Sequence, residues 1–438
     1  MIAVFSPYDT ARLRYVLNVL FSRWLSVDYT LYSDHQAFLS DSNACKLRYT
    51  AKAYDDDIPR IHNHGFLEHS EGRKCKVQIK GEGSDLRIFP GDDTCLGFDV
   101  FAGMFFCLSR YEEYDSSKLD HHGRFPAKGS LAYRLDFLDR PIVDEWREAL
   151  IGILTAHWKQ SPFSQPKFLC RVTVDVDNAS AYAYKGAVRS LLGVGRSLFR
   201  MDTTLLSRIK TLFNSANDPF LTYQAQCAIA KSFDVPIIHF VLCAGLSPHD
   251  RSLNPSNPHF KGMLSKLNKQ SQVAWHPSYS AFGNPAMLDK ELQQLNQILG
   301  SPVTQSRQHY IRLQFPETYR HLISLDIKDD YSMGYPDHDG FRAGTTLSFP
   351  FFDIDDNRES DLIIHPFYFL DTYYSEVRQL SAEAALPKMK AIADTVKQHG
   401  GELNLVWHNR TFSELRKQWK GWTKALVLLL THAQKETV

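Results

Sequence analysis

Several short stretches place titratable side chains at the ends of apolar runs. In "RVTVDVDNA", Val172, Val174 and Val176 alternate with Thr173, Asp175 and Asp177, so both aspartates fall on one face of an extended strand. Two carboxylates that close repel each other, and a metal, an arginine or a bound proton must compensate. "QVAWHPSYSAF" carries an apolar run into Trp275 and His276, with Ser280 four residues further on. "LNLVWHN" repeats the design with Trp407 and His408. One strand closing on a titratable group is ordinary. Three doing so point to a single assembled site, and carboxylate with imidazole suits divalent-metal binding and acid–base hydrolysis.

Two further stretches add candidates. "SRQHYIRL" reads as a short strand with Arg307 and His309 on one face and Tyr310 and Arg312 on the other. "KDDYSMGYPDHDGFRAGT" reads as a long charged loop that contributes Asp330 and Arg342.

The elements that must position these residues lie mostly in the second half. Strand candidates recur as "FLCRVTVDV", "VPIIHFVLC", "SQVAWHP", "QHYIRL", "TTLSFPFFD", "DLIIHPFYF" and "LNLVWH". Helical stretches such as "DKELQQLNQILG" and "AEAALPKMKAIADTVKQHG" alternate with them. Strand–helix alternation predicts a parallel sheet, and this many units permits a barrel with its site at the C-terminal strand ends. Residues 185–215 read as an inserted helical or loop excursion.

The first half has another rhythm. "IAVF" predicts a strand and "RLRYVLNVLFSRWL" a helix. "KVQIK" and "DLRIF" predict a hairpin around "GEGS", and "DVFAGMFFCLSRYEEY" and "DEWREALIGILTAHW" predict helices. The aperiodic "KQSPFSQPK" then marks a boundary near 165. The expected organisation is an N-terminal α/β domain over 1–165 and a (β/α) barrel over 166–438.

Bulk properties narrow the classes. The chain has 438 residues, 43% hydrophobic and 23% charged, which supports a sizeable core. A net charge of +1 lacks the basic excess that a phosphate backbone demands, so nucleic acid is not an expected partner. The seven cysteines, Cys45, Cys75, Cys95, Cys107, Cys170, Cys227 and Cys243, lack metal-ligand spacing and read as reduced thiols. No signal peptide and no membrane span is read from the apolar runs, so a cytoplasmic location is expected.

The order of these pieces resembles the polysaccharide deacetylase superfamily, carbohydrate esterase family four. "TVDVDNA" matches its paired-aspartate motif, "WHPSYS" its histidine motif, "RQHY" its arginine–tyrosine motif and "LVWH" its closing Leu-x-His. The match covers roughly residues 168–410 by motif order. "LSRYEEY", "HHGRFPAKGSLAYR", "DDYSMGY" and "GFRAGT" are similar to a bacterial branch with an extra N-terminal domain. The resemblance implies an irregular (β/α) barrel and a metal-dependent hydrolase that removes an N-acetyl group from a sugar or saccharide precursor. It implies Asp175 as general base and Asp177 and His276 as metal ligands. His408 would be the general acid, Arg307 would orient Asp175, and the Tyr310 backbone N–H would help bind the oxyanion. Arg312 competes with Arg307 for the motif arginine. Tyr310, Arg312, Ser280, Asp330, Arg342 and Trp407 form the expected substrate-binding set.

Position 280 departs from that pattern. The family places histidine there, and serine is a poor ligand for zinc, the expected ion. Catalytic zinc sites use three protein ligands plus water. His309, expected on the same strand face as Arg307, is the candidate replacement. Two other outcomes stay open: a saccharide-binding barrel without catalysis, and a metal-independent amide hydrolase. Oligomeric state is not readable.

Overall fold

The structure is a computed structural model and describes residues 1–68, 77–81, 83, 86–91, 95–114, 119–199 and 204–435. It is mixed α/β. The first sheet is parallel, with strands β1 (Ile2–Phe5), β2 (Tyr29–Tyr32), β3 (Lys46–Tyr49) and β4 (Arg60–Ile61) in the order β2-β1-β3-β4. The expected hairpin is short, pairing β5 (Ile79–Lys80) with β6 (Arg87–Ile88). Part of its turn, "GEGS", and Cys75 lie outside the described residues. The other six cysteines are free thiols.

The second sheet has eight strands: β7 (Leu169–Val176), β8 (Ile237–Val241), β9 (Gln272–Trp275), β10 (Gln305–Ser306), β11 (Asp329–Met333), β12 (Phe349–Asp353), β13 (Arg358–Pro366) and β14 (Glu402–His408). Their order is β12-β13-β11-β10-β9-β8-β7-β14, and all neighbours are parallel except the antiparallel edge strand β12. Parallel pairing puts the C-terminal ends of β7, β9, β10 and β14 on one edge of the sheet. The register pairs His408 with Asp175, and Trp275 with both Val241 and Ser306.

An irregular (β/α) barrel was expected, and closure of the sheet is not continuous. No continuous ladder joins β13 to β14 among the described residues. The gap is bridged by one parallel pairing, Leu370 with Val406, and by Asn404 Nδ2 donating to the Pro366 carbonyl at 2.8 Å. Side chains complete the clamp. His365 on β13 contacts Asp329 of β11 and Glu402 of β14, both at 2.8 Å, and Arg171 of β7 donates to Glu402 at 2.7 Å.

That clamp carries a pH signature. Burial opposes protonation of His365, but hydrogen bonds to Asp329 and Glu402 raise it above the ordinary imidazole value. Burial would likewise raise Glu402, yet His365 and Arg171 hold it down at about 2. A raised histidine contributes stability that is full below its unfolded value of about 6.5 and is lost as pH rises through the folded value. His365→Gln should therefore cost about 1.5–3 kcal/mol at mildly acidic pH, the scale of charged hydrogen bonds. Denaturant titrations of parent and variant should converge under alkaline conditions. A pH-independent difference would contradict a charged clamp.

Two strand expectations need correction. "QHYIRL" is not a strand: β10 ends at Ser306, and His309–Ile311 form a short 3-10 turn. Asp330 lies in β11 rather than in a loop. The predicted helices do form. Thr10 caps Ala11–Leu17, which continues as Asn18–Trp24, and Asp99 caps the wholly buried Val100–Leu108. These pack on the second sheet: Tyr15 donates to the Pro350 carbonyl at 2.9 Å and Trp24 to Ser348 at 2.8 Å. One contiguous apolar core runs from Ile2 to Ala433.

Candidate metal centre and active site

The four strand ends open into a cleft of about 490 Å³ whose lining includes Asp175, Asp177, His276, His309, Tyr310, His408 and Arg410. At its floor Asp177, His276 and His309 offer one ligand atom each, all within 4.8 Å of one another. His276 Nε2 lies 3.4 Å and His309 Nε2 3.5 Å from Asp177 Oδ1.

The outer nitrogens explain why these atoms face inward. The Nδ1–H of His276 donates to the Arg307 carbonyl at 2.5 Å. A carbonyl only accepts, so Nδ1 carries the proton and Nε2 presents its lone pair to the cleft. The Nδ1–H of His309 donates to Asp250 Oδ1 at 3.1 Å, which sets the same tautomer. Burial keeps His309 below the usual imidazole value despite the nearby carboxylates Asp177 and Asp250. A neutral imidazole is the form a metal binds.

Asp177 is ionised. Burial works against it, but the positive charges of His408 and Arg410 hold its carboxyl well below the usual range. Arg410 donates to Asp177 Oδ2 and on its other side to Glu376 at 3.1 Å. Asp177 Oδ1 is buried and has no hydrogen-bond partner. An orphaned anionic oxygen facing two imidazole lone pairs matches the donor set of a divalent cation.

Ser280 stands behind this group. Its hydroxyl donates to Asp250 Oδ2 at 2.7 Å, and Asp250 also accepts from Ser247 Oγ at 2.7 Å and Tyr279 N at 2.8 Å. These bonds and the one from His309 overcome burial and hold the Asp250 carboxyl far below its ordinary value. Ser280 thus steadies the carboxylate that orients His309. It is not among the residues that line the cleft.

Asp175 is buried on β7, with Arg307 Nη1 donating to its Oδ1 at 2.8 Å. Arg307 is itself fully buried, donates to Thr173 Oγ1 and the Tyr331 carbonyl at 2.9 Å each, and lies over the Phe240 ring. Burial raises the Asp175 carboxyl, but Arg307, His276 and His408 bring it below the usual range. On the opposite wall His408 Nδ1 donates to Asp371 Oδ1 at 2.7 Å, and its Nε2 lies 3.9 Å from Asp177 Oδ2. Burial disfavours its charge, yet Asp371 and Asp177 raise it above the ordinary histidine value.

Arg307 and Arg312 differ in what they touch. Arg307 touches Asp175. Arg312 stacks between Tyr279 and Phe282 and donates to the carbonyls of His122 and Tyr279, so it is a strut outside the cleft lining. Asp330 is also displaced: it is buried and accepts from Ser306 and Ser332. Arg342 is buried against Glu113, and Trp407 is fully enclosed in the core. None of the three faces the cleft lining, because strand alternation or a salt bridge turns each away. Tyr310 does line it, with φ +59 followed by Ile311 at φ +54, a reversal that aims the turn into the site. Its carbonyl accepts from Arg124 at 3.0 Å, so the N-terminal segment reaches the cleft.

Sequence reasoning missed Asp250, Asp371, Arg410 and Glu376. Arg410 follows His408 by two residues in "WHNR", and that short spacing was the one available signal.

Residues 2–159 match a family of unknown function (DUF7033). No curated protein matches the chain. Among solved structures it is similar to a protein from Mycobacterium smegmatis assigned as a polysaccharide deacetylase, at 14% identity and TM-score 0.38, over 60% of this chain and 82% of that one. It is also similar to an allantoinase, at 10% identity and TM-score 0.40, over 61% and 85% of the two chains. A third is the polysaccharide deacetylase from Bacillus cereus, at 11% identity and TM-score 0.29, over 60% and 87%. At such TM-scores these likenesses carry no weight against the site's own geometry.

Proposed function

We propose that this protein is a metal-dependent hydrolase that removes an N-acetyl group from a saccharide or saccharide precursor. The observation that carries the reading is the convergence of Asp177, His276 and His309 on one point, with both histidines presenting Nε2 and Asp177 keeping an unpartnered oxygen. These three would hold the ion. When bound, a divalent cation, zinc by this donor set, would polarise the acyl carbonyl and acidify water.

The chain's own groups do the rest. Asp175, fixed by Arg307, accepts the proton of the attacking water as its oxygen bonds to the acyl carbon. The Tyr310 backbone N–H donates to the oxygen that gains charge. The C–N bond then breaks, and His408, held protonated by Asp371, delivers its proton from Nε2 to the leaving amine. Acetate and a free amine result. Residues 1–165 are proposed as a domain that roofs the cleft through Arg124. The test is acetate release from N-acetylated saccharides with zinc supplied, abolished by a chelator and restored by metal.

The acid role sets a pH limb. Because Asp371 raises His408, activity should fall on the alkaline side only above the ordinary imidazole range. Asp371→Asn should move that limb towards acid pH. An unmoved limb would remove His408 from the acid role.

A second reading has its own observation. Arg410 already bonds Asp177 Oδ2 and supplies positive charge beside the paired aspartates. A metal-independent amide hydrolase is built on that contact, and turnover that persists in chelator decides for it.

A further inference from the structure

The excursion between β7 and β8 is folded inside out. Helices Ala187–Phe199 and Leu205–Phe213 pack against each other. An amphipathic helix of a globular protein turns its apolar stripe to the core. Here Ser197 and Thr211 are buried, while Leu191, Leu192 and Leu198 are exposed and Phe199 is 92% exposed. In the second helix Leu206 and Leu212 are exposed and Phe213 is 89% exposed. Seven of the seventeen exposed large hydrophobics among the described residues fall in this one hairpin.

The same segment concentrates positive charge. Residues 185–213 contain six Lys or Arg and one acid, Asp202, in a chain whose net charge is +1. Against the hairpin lies a cavity of about 860 Å³ whose lining includes Lys185, Arg196, Arg208, Arg251 and Arg416, with Leu192, Leu212 and Phe213 of the hairpin at its edge. It shares Asn178, Phe220, Arg251, Arg416 and Trp419 with the cleft, so the two adjoin.

We infer that this hairpin is an interfacial anchor that seats the cleft-bearing face on an anionic lipid surface. Exposed leucine and phenylalanine with cations beside them is the composition of a helix lying in the headgroup boundary. Lysines and arginines near such a surface are drawn to anionic headgroups. No described helix is long and apolar enough to cross a membrane, so the hairpin lies on the bilayer rather than through it. Charge selects this occupant over a second copy of the chain, since self-association would press two strongly cationic segments together. The basic cavity then lies between the bilayer and the cleft. If the hydrolase reading holds, its substrate is a saccharide carried on a phosphate-bearing lipid.

Vesicle co-sedimentation of the full chain tests the anchor. The protein should bind phosphatidylcholine vesicles containing phosphatidylglycerol, bind those of phosphatidylcholine alone poorly, and detach as salt is raised. The double variant Phe199→Glu with Phe213→Glu should lower the partition coefficient by at least about tenfold, through lost apolar burial and added repulsion. Both residues are exposed, so an unchanged melting profile should accompany the loss. Absence of binding to anionic vesicles, or equal binding by the variant, overturns the inference. A dimer dissolved by the variant, without vesicle binding, assigns the face to a second copy and overturns it too. Binding is read without turnover, so its failure and failure of the hydrolase reading are separate results.

Discussion

Asp175→Asn is expected to lower turnover by about a hundredfold to ten-thousandfold, the scale for losing a general base, while zinc content stays at the parent level. The two readouts separate because the aspartates have different partners. Asp175 bonds Arg307, whereas Asp177 faces the two imidazoles. Asparagine keeps a carbonyl oxygen for Arg307, so the buried guanidinium retains a hydrogen bond while losing its counter-charge and some stability with it. What disappears is the anionic proton acceptor. Asp177→Asn should lose metal and turnover together. If Asp175→Asn keeps the parent rate in an acetate-release assay, the base lies elsewhere and the division of labour is wrong.

His309→Ala is expected to strip the ion, whereas Ser280→Ala keeps it. Removing His309 leaves Asp177 and His276, and two protein ligands hold catalytic zinc weakly. Ser280 acts one step back, through Asp250. Its loss should weaken affinity by about tenfold, at the mild end of what outer partners of a metal-bound histidine are worth. Equilibrium dialysis against zinc reads both variants. Equal retention by His309→Ala and parent would return the question to the metal-independent reading, with Arg410 as the compensating charge.

Much of the site was legible because parallel strands report their own ends. The alternation of Val172, Val174 and Val176 located β7 and both aspartates, and the Trp-His closures located His276 and His408. The second sheet follows from the same apolar runs. β11 was missed because "DDYSM" begins with two acids and reads as loop, although Asp330 is buried by hydrogen bonds from Ser306 and Ser332. His309 lies in one cluster with Asp177 and His276, but not for the reason expected. A strand face was expected, but a reversed turn at Tyr310 and Ile311 carries it. Single-sequence patterning sees period two and not a positive φ at non-glycine residues. Asp250 and Asp371 were not legible at all. Asp250 lies in a loop and Asp371 at the start of a helical turn, their histidines lie 59 and 37 positions away, and only the fold brings them together. The same holds for Arg342, whose polar sequence context suggested solvent while its partner Glu113 sits 229 positions earlier.

The central claim is that Asp177, His276 and His309 form one metal site although position 280 is serine. Anomalous diffraction at the zinc edge, from crystals of the full chain grown with zinc, tests it most directly. A single peak is expected about 2.0–2.2 Å from a carboxylate oxygen of Asp177 and from Nε2 of His276 and His309. Ser280 is expected to stay on Asp250, outside bonding reach of the ion. No peak at that point, or a peak with the His309 ring turned away from it, would contradict the claim.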